Sequence, residues 1–244
     1  MFSGVLEIIR RWIEGLLTGP ELIVNGSFEE QNGHLFNGSE GIQQLDPKDN
    51  DPKSATSKSA ISGWLVDPAS DGRVVWFRSD NKSGINKSGI KPANGRLFVD
   101  LCGQGFYWTG LDGGIISGGV LSAEFPTQAG RRYLLKARIG TYEVKDSTTS
   151  GPVAIRVVAG GKFAGRLDNR DGDPGALTRW VSGSLVFMAT GPRTAVEIRG
   201  WVPEDLYKER TAKSIATPTF LGLDYVSVRE LWRFPFPWQW LLVR

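Results

Sequence analysis

The segment GRRYLLKARIGTY, residues 130–142, decides the fold class of this 244-residue chain. Its residues alternate in two sets, Tyr133, Leu135, Ala137 and Ile139 against Arg132, Leu134, Lys136 and Arg138. Successive side chains of a β-strand point to opposite faces, so a period of two predicts a strand with one face polar. One buried and one wet face is typical of an antiparallel sheet.

Strand-like segments of the same kind follow one another along the chain. They are LIVNGSF (22–28), GRVVWFRS (72–79), RLFVDLCG (96–103), GVLSAEFPT (119–127), GPVAIRVVAGG (151–161), RWVSGSLVFMAT (179–190), RTAVEIRGW (193–201) and TFLGLDYVSVREL (219–231). Short strands separated by turn signals, without intervening helices, indicate a β-sandwich or barrel. Residues 31–60, 81–95, 104–118 and 202–218 are predicted loops, the last with a short helical turn.

The N-terminus is predicted to be an amphipathic helix over residues 2–17, ended by Gly19 and Pro20. Ile9 and Trp12 lie on its apolar side, and charges of both signs lie on the other. Three readings stay open: the helix packs on its own domain, docks on a partner, or lies on a membrane. The mixed charges disfavour the membrane.

The C-terminal tail WRFPFPWQWLLVR, residues 232–244, is unusually aromatic. Its alternating large side chains are Trp232, Phe234, Phe236, Trp238 and Trp240. The prolines between them exclude a central strand and predict an extended or edge segment. Because aromatic side chains bury large areas, the tail is expected to wrap over its own domain or enter a groove on a partner.

Composition excludes several function classes. The net charge is +3 and no block of like charges occurs, so nucleic-acid binding is not expected. The single cysteine, Cys102, and the single histidine, His34, exclude an internal disulfide and a multi-histidine zinc site. No segment has the apolar length of a membrane span, and the N-terminus lacks the pattern of a signal peptide.

Two segments are candidates for binding or catalysis. The glycines around Phe106, Tyr107 and Trp108 predict an exposed loop tip, which suits sugar binding; the alternatives are a lid on the sandwich or a protein interface. The acidic clusters at 168–173 and 67–71 are typical of turns, so no catalytic residue is assigned and the protein is predicted not to be an enzyme.

Six landmarks in order resemble a known family. They are NGSFE, ISGWLV, GRLFVDLCG, LSAEFPTQAGRRYLLKARIG, LVFMATGPRTAVEIRG and LDYVSV. Their order resembles the galactose-binding-like jelly roll of the DUF642 and choice-of-anchor group, which is akin to carbohydrate-binding modules. The resemblance covers about residues 22–229 and implies that Trp64 and Trp180 are core residues. It also favours an extracellular or particle-surface location, although no export signal is seen.

The resemblance further implies a structural calcium ion between the first and last strands. Carried over, its ligands are Glu29 and Asp224, with Asn25 nearby, because calcium prefers oxygen ligands. The alternative is that Glu29 caps the turn and Asp224 binds backbone amides. Where the family has paired acids, this chain has Asp224 followed by Tyr225.

The sequence therefore predicts an all-β, antiparallel jelly-roll β-sandwich over residues 20–231. An N-terminal amphipathic helix (1–19) precedes it, and an extended aromatic tail (232–244) follows it. The favoured function is a non-enzymatic structural or adhesive protein whose two ends dock on partner subunits. The alternative is a carbohydrate-binding module that recognises a polysaccharide through exposed aromatic residues.

Overall fold

Strands dominate the part of the chain that the computed structural model describes. That part comprises residues 17–30, 36, 41–51, 54, 56–68, 74–78, 91–102, 107–108, 114–141, 152–170, 179–212 and 220–232. Its strands are β1 (Thr18–Glu21), β2 (Ile42–Leu45), β3 (Leu65–Val66), β4 (Val74–Arg78), β5 (Leu97–Asp100), β6 (Tyr107–Trp108), β7 (Gly114–Pro126), β8 (Arg132–Thr141), β9 (Val153–Ala159), β10 (Lys162–Asn169), β11 (Arg179–Met188), β12 (Arg193–Pro203) and β13 (Gly222–Leu231). One helix, α1 (Glu204–Ala212), follows β12 directly.

The strands form two antiparallel sheets. The first has the order β11–β8–β13–β5–β4–β2, with β1 paired to β13. The second has the order β10–β9–β12–β7–β3, with β6 paired to β7. The two sheets pack as a jelly-roll β-sandwich, which confirms the predicted fold class.

The core lies between the sheets and is built by the alternation read from the sequence. Tyr133, Leu135, Ala137 and Ile139 of β8 are all buried in it. Trp64 also lies in this core, as expected. Because facing strands alternate in the same way, each sheet contributes one apolar face to a shared interior.

Trp180 lies elsewhere than the resemblance implied. It is partly buried and packs against a separate apolar cluster of Val75, Phe77, Phe98 and Phe220. Its indole meets the Phe98 ring edge-on, with centroids 5.8 Å apart. The first sheet therefore carries an apolar cluster outside the main core, and Trp180 belongs to that cluster.

Several boundaries differ from the sequence prediction. The first strand is Thr18–Glu21, and residues 22–28 form a turn instead of a strand. The Glu21 carboxylate accepts the Leu22 and Ile23 N–H groups at 3.1 Å each at the point where this turn begins. The predicted loops at 31–60 and 104–118 contain β2, β6 and the start of β7, and α1 is longer than a single turn.

The two ends of the sandwich lie side by side. Thr18 pairs with Leu231, and the Trp232 N–H donates to the Leu17 carbonyl at 3.0 Å. Leu17 packs against Leu134 and Leu231 in a small cluster of its own. The predicted docking residues Ile9, Trp12, Phe234, Phe236, Trp238 and Trp240 lie outside the described residues. Within those residues, no helix is long and apolar enough to span a membrane.

Candidate functional site

Glu29 and Asp224 hold the same short backbone segment, residues 93–97, and we call this region the carboxylate clasp. Glu29 Oε1 accepts the N–H groups of Arg96 and Leu97 at 2.7 and 2.6 Å. Asp224 Oδ2 accepts the Asn94 N–H at 2.8 Å. The structure thus brings the two predicted carboxylates to one place, where they fix the entry into β5.

Asp224 is fully buried, and its ionised form is disfavoured there. Burial raises the pKa of its carboxyl to about 7, and the nearby charge of Glu29 adds to the effect. Backbone N–H groups oppose the rise, among them that of Tyr225, 2.7 Å from Oδ1. The desolvation of the buried charge outweighs these hydrogen bonds.

The side chain of Asn25 stabilises a turn in this structure, whereas the resemblance placed it beside a calcium ion. It closes the turn after β1, with its Oδ1 accepting the Glu30 N–H at 2.9 Å. Its Nδ2 donates to the carbonyls of Glu30 and Ser62 at 2.8 and 3.0 Å. The Asn25 side chain therefore holds the turn after β1, and its place beside a calcium ion stays a prediction.

The donor set of the clasp fits calcium only in part. Glu29 and Asp224 converge, but three of their oxygens already accept backbone N–H groups. Among the described residues, no group of three or more His, Cys, Asp and Glu side chains is arranged to hold a metal. Calcium at Glu29 and Asp224 remains a prediction.

Two glycines allow the backbone to approach closely around the clasp. A Cβ on Gly95 would lie 2.2 Å from Glu29 Oε1, and Gly95 also has a positive φ of 66°. A Cβ on Gly26 would lie 1.7 Å from the Val226 carbonyl oxygen. The clasp is therefore a tight backbone junction between the turn after β1, the start of β5 and β13.

A second polar region lies on the outer face of the second sheet. Asp168 on β10, Ala154 on β9 and Trp201 on β12 are cross-strand partners, and we call them the outer row. Partners in an antiparallel ladder point to the same side, and the residues between them along each strand face the core. Ala154 is 0% and Trp201 9% exposed, and both belong to the same apolar cluster as Leu206 of α1. The outward-facing row is therefore packed, although it faces away from the other sheet.

The outer row contains two buried polar atoms without hydrogen bonds. Trp201 Nε1 and Asp168 Oδ1 have no hydrogen-bond partner among the described residues. Arg166 Nε lies 3.2 Å from Asp168 Oδ1 as an ion pair, without the geometry of a hydrogen bond. Buried polar side chains are rarely left unpaired, because each costs about 1–3 kcal/mol.

Three other tryptophans in the described part of the chain donate their indole N–H to a backbone carbonyl. Trp64 Nε1 donates to the Asn25 carbonyl and Trp76 Nε1 to the Phe28 carbonyl, both at 3.1 Å. Trp180 Nε1 donates to the Lys91 carbonyl at 2.8 Å. Trp201 departs from this pattern, which marks it as a candidate binding residue.

A second row of cross-strand partners, the arginine row, lies two residues away from the outer row on each of the three strands. It consists of Arg166, Arg156 and Arg199, which are partners across β10, β9 and β12. The Arg156 guanidinium carbon lies 5.2 Å from the centroid of the Phe163 ring, and Phe163 is 57% exposed. The face therefore combines guanidinium groups, a carboxylate and aromatic rings.

Helix α1 crosses one end of this face and is tied to β10. Asp205 accepts two hydrogen bonds from Arg166, at 2.8 and 2.7 Å, and one from Arg170 at 3.2 Å. The hydrogen bond from Arg166 lowers the pKa of Asp205 to about 2. Leu206 is buried in the core, so one apolar side chain and an ion-pair network hold the start of α1 in place.

The sequence-predicted ligand residues have a mixed outcome. Phe106 lies outside the described residues. Tyr107–Trp108 forms β6, which pairs with β7, so the prediction of a loop tip is wrong for these two residues. The nearby glycines had suggested a loop, but the chain continues a sheet edge there. Tyr107 pairs with Ser117, which in turn pairs with Trp201, so the backbone register extends the outer row to Tyr107.

Comparisons with known proteins give structural likenesses alone. No family model matches the chain, and no curated protein matches it by sequence. A cyclase from Fischerella sp. TAU in complex with 4-(1H-indol-3-yl)butan-2-one is similar with a TM-score of 0.48 and 13% identity, over 88% of this chain and 100% of that one. The carbohydrate-binding module TmCBM61 in complex with β-1,4-galactotriose has a TM-score of 0.36 and 16% identity, over 68% and 88% of the two chains.

A xylan-binding domain, CBM22-1 of Xyn10C from Paenibacillus barcinonensis, is similar in the same way. Its TM-score is 0.39 and its identity 10%, over 70% of this chain and 88% of that one. At these values the likenesses transfer neither an activity nor a ligand. The resemblance to the DUF642 and choice-of-anchor group stays a prediction, and the sheets themselves establish the jelly-roll sandwich.

Proposed function

We propose that this protein is a non-catalytic glycan-binding module whose site is the outer row on the second sheet. The observation that carries the proposal is that Trp201 Nε1 is buried without a hydrogen bond, while Asp168 Oδ1, on the other side of Ala154, has no contact of that kind beyond its ion pair with Arg166. The indole N–H is a donor, and the carboxylate oxygen is an acceptor. The hydroxyl groups of a sugar suit both atoms, because a hydroxyl accepts from an indole N–H and donates to a carboxylate oxygen.

Sugars suit such a site because they present hydroxyl groups on a ring with an apolar face. Small-molecule sites combine aromatic surface with a few well-placed polar groups that fix orientation. The row supplies Trp201 and Asp168, and the exposed ring of Phe163 lies on the same sheet. Trp201 is buried and shares an apolar cluster with Leu206 of α1, so sugar entry requires α1 to move away from the sheet.

Binding without catalysis fits the state of the acidic residues on this face. Hydrolysis of a glycosidic bond by paired carboxylates needs one of them protonated near neutral pH. Asp205 has a lowered pKa of about 2, and both Asp168 and Asp205 contact Arg166. With its pKa at about 2, Asp205 stays ionised near neutral pH, which favours recognition over proton transfer.

The test is titration calorimetry with β-1,4-galactotriose and soluble xylan, the ligands named for two of the similar folds. We expect at least one probe to bind, and Trp201→Phe and Asp168→Asn each to weaken it about tenfold or more, the loss of a buried hydrogen bond. Trp180→Phe is the matched control, since it makes the same change outside the row. Unchanged affinity in Trp201→Phe would remove the outer row from the site.

A neighbouring water molecule is the competing explanation for the two unsatisfied atoms. A crystal structure of the free protein that shows a water bridging Trp201 and Asp168, with no probe bound in calorimetry, would overturn the proposal. A water displaced by a sugar hydroxyl in the complex would support it.

A second candidate function is assembly through the two ends, with a structural or adhesive role. The favouring observation is that Leu17 and Trp232 are hydrogen-bonded neighbours, so the two ends of the described sandwich lie side by side. We expect the full chain to form oligomers and residues 17–232, which keep all of β1 and β13, to be monomeric by native mass. A full chain that is also monomeric would contradict this role.

We also propose calcium as a structural ion at the clasp, with Glu29 and Asp224 as its protein carboxylates. The support is that the Glu29 charge helps to raise the pKa of Asp224, and a cation would relieve that repulsion. Calcium should raise the melting temperature of the wild type and leave Asp224→Asn unchanged. No response of the wild type to calcium or to a chelator would leave the clasp as a purely hydrogen-bonded junction.

A further inference from the structure

We infer that helix α1 is a gate over the outer row, and that the ion pairs of Arg166 and Arg170 hold it closed. This inference rests on the proposed glycan-binding function and names how access to that site is regulated. It comes from an ion-pair network that joins the helix to Asp168, a residue of the outer row. The Asp168 carboxylate is also the group that a sugar hydroxyl is proposed to reach.

Two arginines each join the outer row to the helix. Arg166 Nε lies 3.2 Å from Asp168 Oδ1, and its Nη2 lies 2.7 Å from Asp205 Oδ2 of α1. Arg170 Nη2 lies 3.3 Å from Asp168 Oδ2 and 3.2 Å from Asp205 Oδ2. Because both guanidinium groups contact both carboxylates, the site and the helix share one network. A ligand that engages Asp168 therefore competes with the contacts that hold α1.

The rest of the helix adds little to its attachment. Leu206 is fully buried, and Tyr207 is half-buried against the main core. The other residues of its sequence EDLYKERTA are charged or small. A helix of this length is marginal in water on its own, so tertiary contacts must hold it in place. Ion pairs between partly exposed side chains contribute little each, so the closed position is weakly held.

The junction before the helix has the features of a hinge. β12 ends at Pro203 and α1 begins at Glu204, without a loop between them. The pairing of β12 with β7 is irregular between Val202 and Pro203. Hinges consist of a few residues at the ends of elements, which absorb a change in backbone angles. Movement at this junction would swing α1 outward and leave Trp201 in the sheet.

Trp201 makes the closed position less favourable. Its indole Nε1 is buried without a hydrogen-bond partner among the described residues, and its ring shares the main apolar cluster with Leu206. A buried donor without a partner is unfavourable, and opening of α1 would expose it to water or to a sugar hydroxyl. A weakly held helix over an unsatisfied donor is the kind of region that opens locally while the sheets stay folded.

The first experiment measures the binding of β-1,4-galactotriose and soluble xylan to the full chain by titration calorimetry. The apparent affinity of a site falls with the fraction of molecules in which it is open. Asp205→Asn weakens the ion pairs that hold α1 and should therefore raise the affinity by up to about fivefold, although it lowers stability. Glu124→Gln removes an exposed pair with Arg193 on the same sheet and is the matched control without effect. Unchanged or weaker binding in Asp205→Asn would overturn the inference.

The second experiment replaces the ion pairs with a covalent link. Arg166→Cys and Asp205→Cys are combined in one chain and joined by a short bismaleimide. The same chain capped with N-ethylmaleimide carries similar bulk without the link. We expect the capped chain to bind the probes and the joined chain to bind neither. Equal binding by the two would show that the site is reached without movement of α1.

Thiol labelling tests the gate without any ligand. Leu206→Cys and Leu121→Cys each place a thiol at a fully buried leucine, one in α1 and one in β7, and the buried Cys102 reports global unfolding in both chains. We expect iodoacetamide to label the thiol at position 206 at least about tenfold faster than the other two, because α1 opens locally. Equal rates would mean that α1 leaves only when the domain unfolds, and the inference would be wrong. If neither probe binds the wild type, the proposed function is wrong, and these rates alone decide whether α1 opens.

Discussion

The carboxylate clasp and the outer row both contain acidic side chains in packed surroundings, but the hydrogen bonds of these side chains differ. At the clasp, Glu29 and Asp224 accept backbone N–H groups from the segment they hold. In the outer row, Asp168 Oδ1 and Trp201 Nε1 stay without hydrogen bonds among the described residues. Satisfied buried polar groups fix a backbone, whereas unsatisfied ones leave capacity for a molecule from outside.

The largest effect is expected from a substitution that forces the turn after β1 away from β13 at the clasp. Gly26→Ala places a Cβ 1.7 Å from the Val226 carbonyl oxygen, so the backbone must shift. We expect a loss of about 4 kcal/mol in the free energy of unfolding, at the upper end for single substitutions. In a domain of this size that lowers the melting temperature by about 8–16 °C.

The matched control for this substitution is Gly191→Ala, where the nearest atom to a Cβ is 3.6 Å away. It should stay within about 0.5 kcal/mol of the wild type. Equal melting temperatures for the two variants would show that the turn after β1 is not tightly bound to β13.

A second prediction compares two tryptophans with the same substitution. Trp76→Phe leaves the Phe28 carbonyl without its 3.1 Å hydrogen bond, whereas Trp201→Phe removes a donor that had no partner. Both changes shrink the ring, so their difference isolates the hydrogen bond, and we expect Trp76→Phe to cost about 1–3 kcal/mol more. Chemical denaturation measures both, and equal losses would mean that Trp201 Nε1 is already satisfied.

The third prediction concerns the pH dependence of stability at the clasp. The pKa of Asp224 is raised to about 7 by burial, above its value of 3.8 in the unfolded chain. The folded state therefore holds the proton more tightly, and this stabilisation is complete below pH 3.8 and lost as the pH rises towards 7.

Melting curves at pH 5 and 8 measure this contribution. Asp224→Asn, which cannot ionise, should reduce the fall in melting temperature between these two values by a few degrees, as expected for one buried carboxyl. Calcium should reduce the fall in the wild type if it binds the clasp. A wild type and variant with the same pH dependence would show that Asp224 does not titrate in this range.

The smallest effect is expected at the ion pairs that tie α1 to β10. Asp205→Asn weakens the contacts to Arg166 and Arg170, whose side chains are 32% and 50% exposed. Exposed pairs contribute about 1 kcal/mol or less, so the melting temperature should fall by a few degrees at most. The pKa of about 2 implies that this contribution is present above pH 4 and is lost as the pH falls towards 2.

Salt provides the control for Asp205→Asn. High ionic strength screens exposed charges and should narrow the difference between variant and wild type. A difference that is unchanged by salt would mean that Asp205 acts through packing or helix capping.

The alternation of Tyr133, Leu135, Ala137 and Ile139 was sufficient to predict β8 and the fold class. Burial of one sheet face forces this pattern, so it is legible in the sequence. The prediction of a strand at residues 22–28 was wrong, because β-forming residues there belong to a turn. That turn depends on the Glu21 carboxylate and on Val228, whose carbonyl accepts the Leu22 N–H at 2.9 Å from a distant strand.

The candidate site was less predictable than the fold. Glu29 and Asp224 were paired correctly because the first and last strands of a jelly roll meet. Nothing in the sequence distinguishes Trp201 from the other aromatic residues. Asp168 belongs to an acidic cluster that is typical of turns. Their relation through Ala154 depends on the register of three strands, which no local pattern encodes.

The hydrogen bond between Leu17 and Trp232 also has a mechanical consequence. β1 begins and β13 ends at the same corner of the first sheet. Because Thr18 pairs with Leu231 at this end of the ladder, a load applied through the two ends would separate β1 from β13 one residue pair at a time.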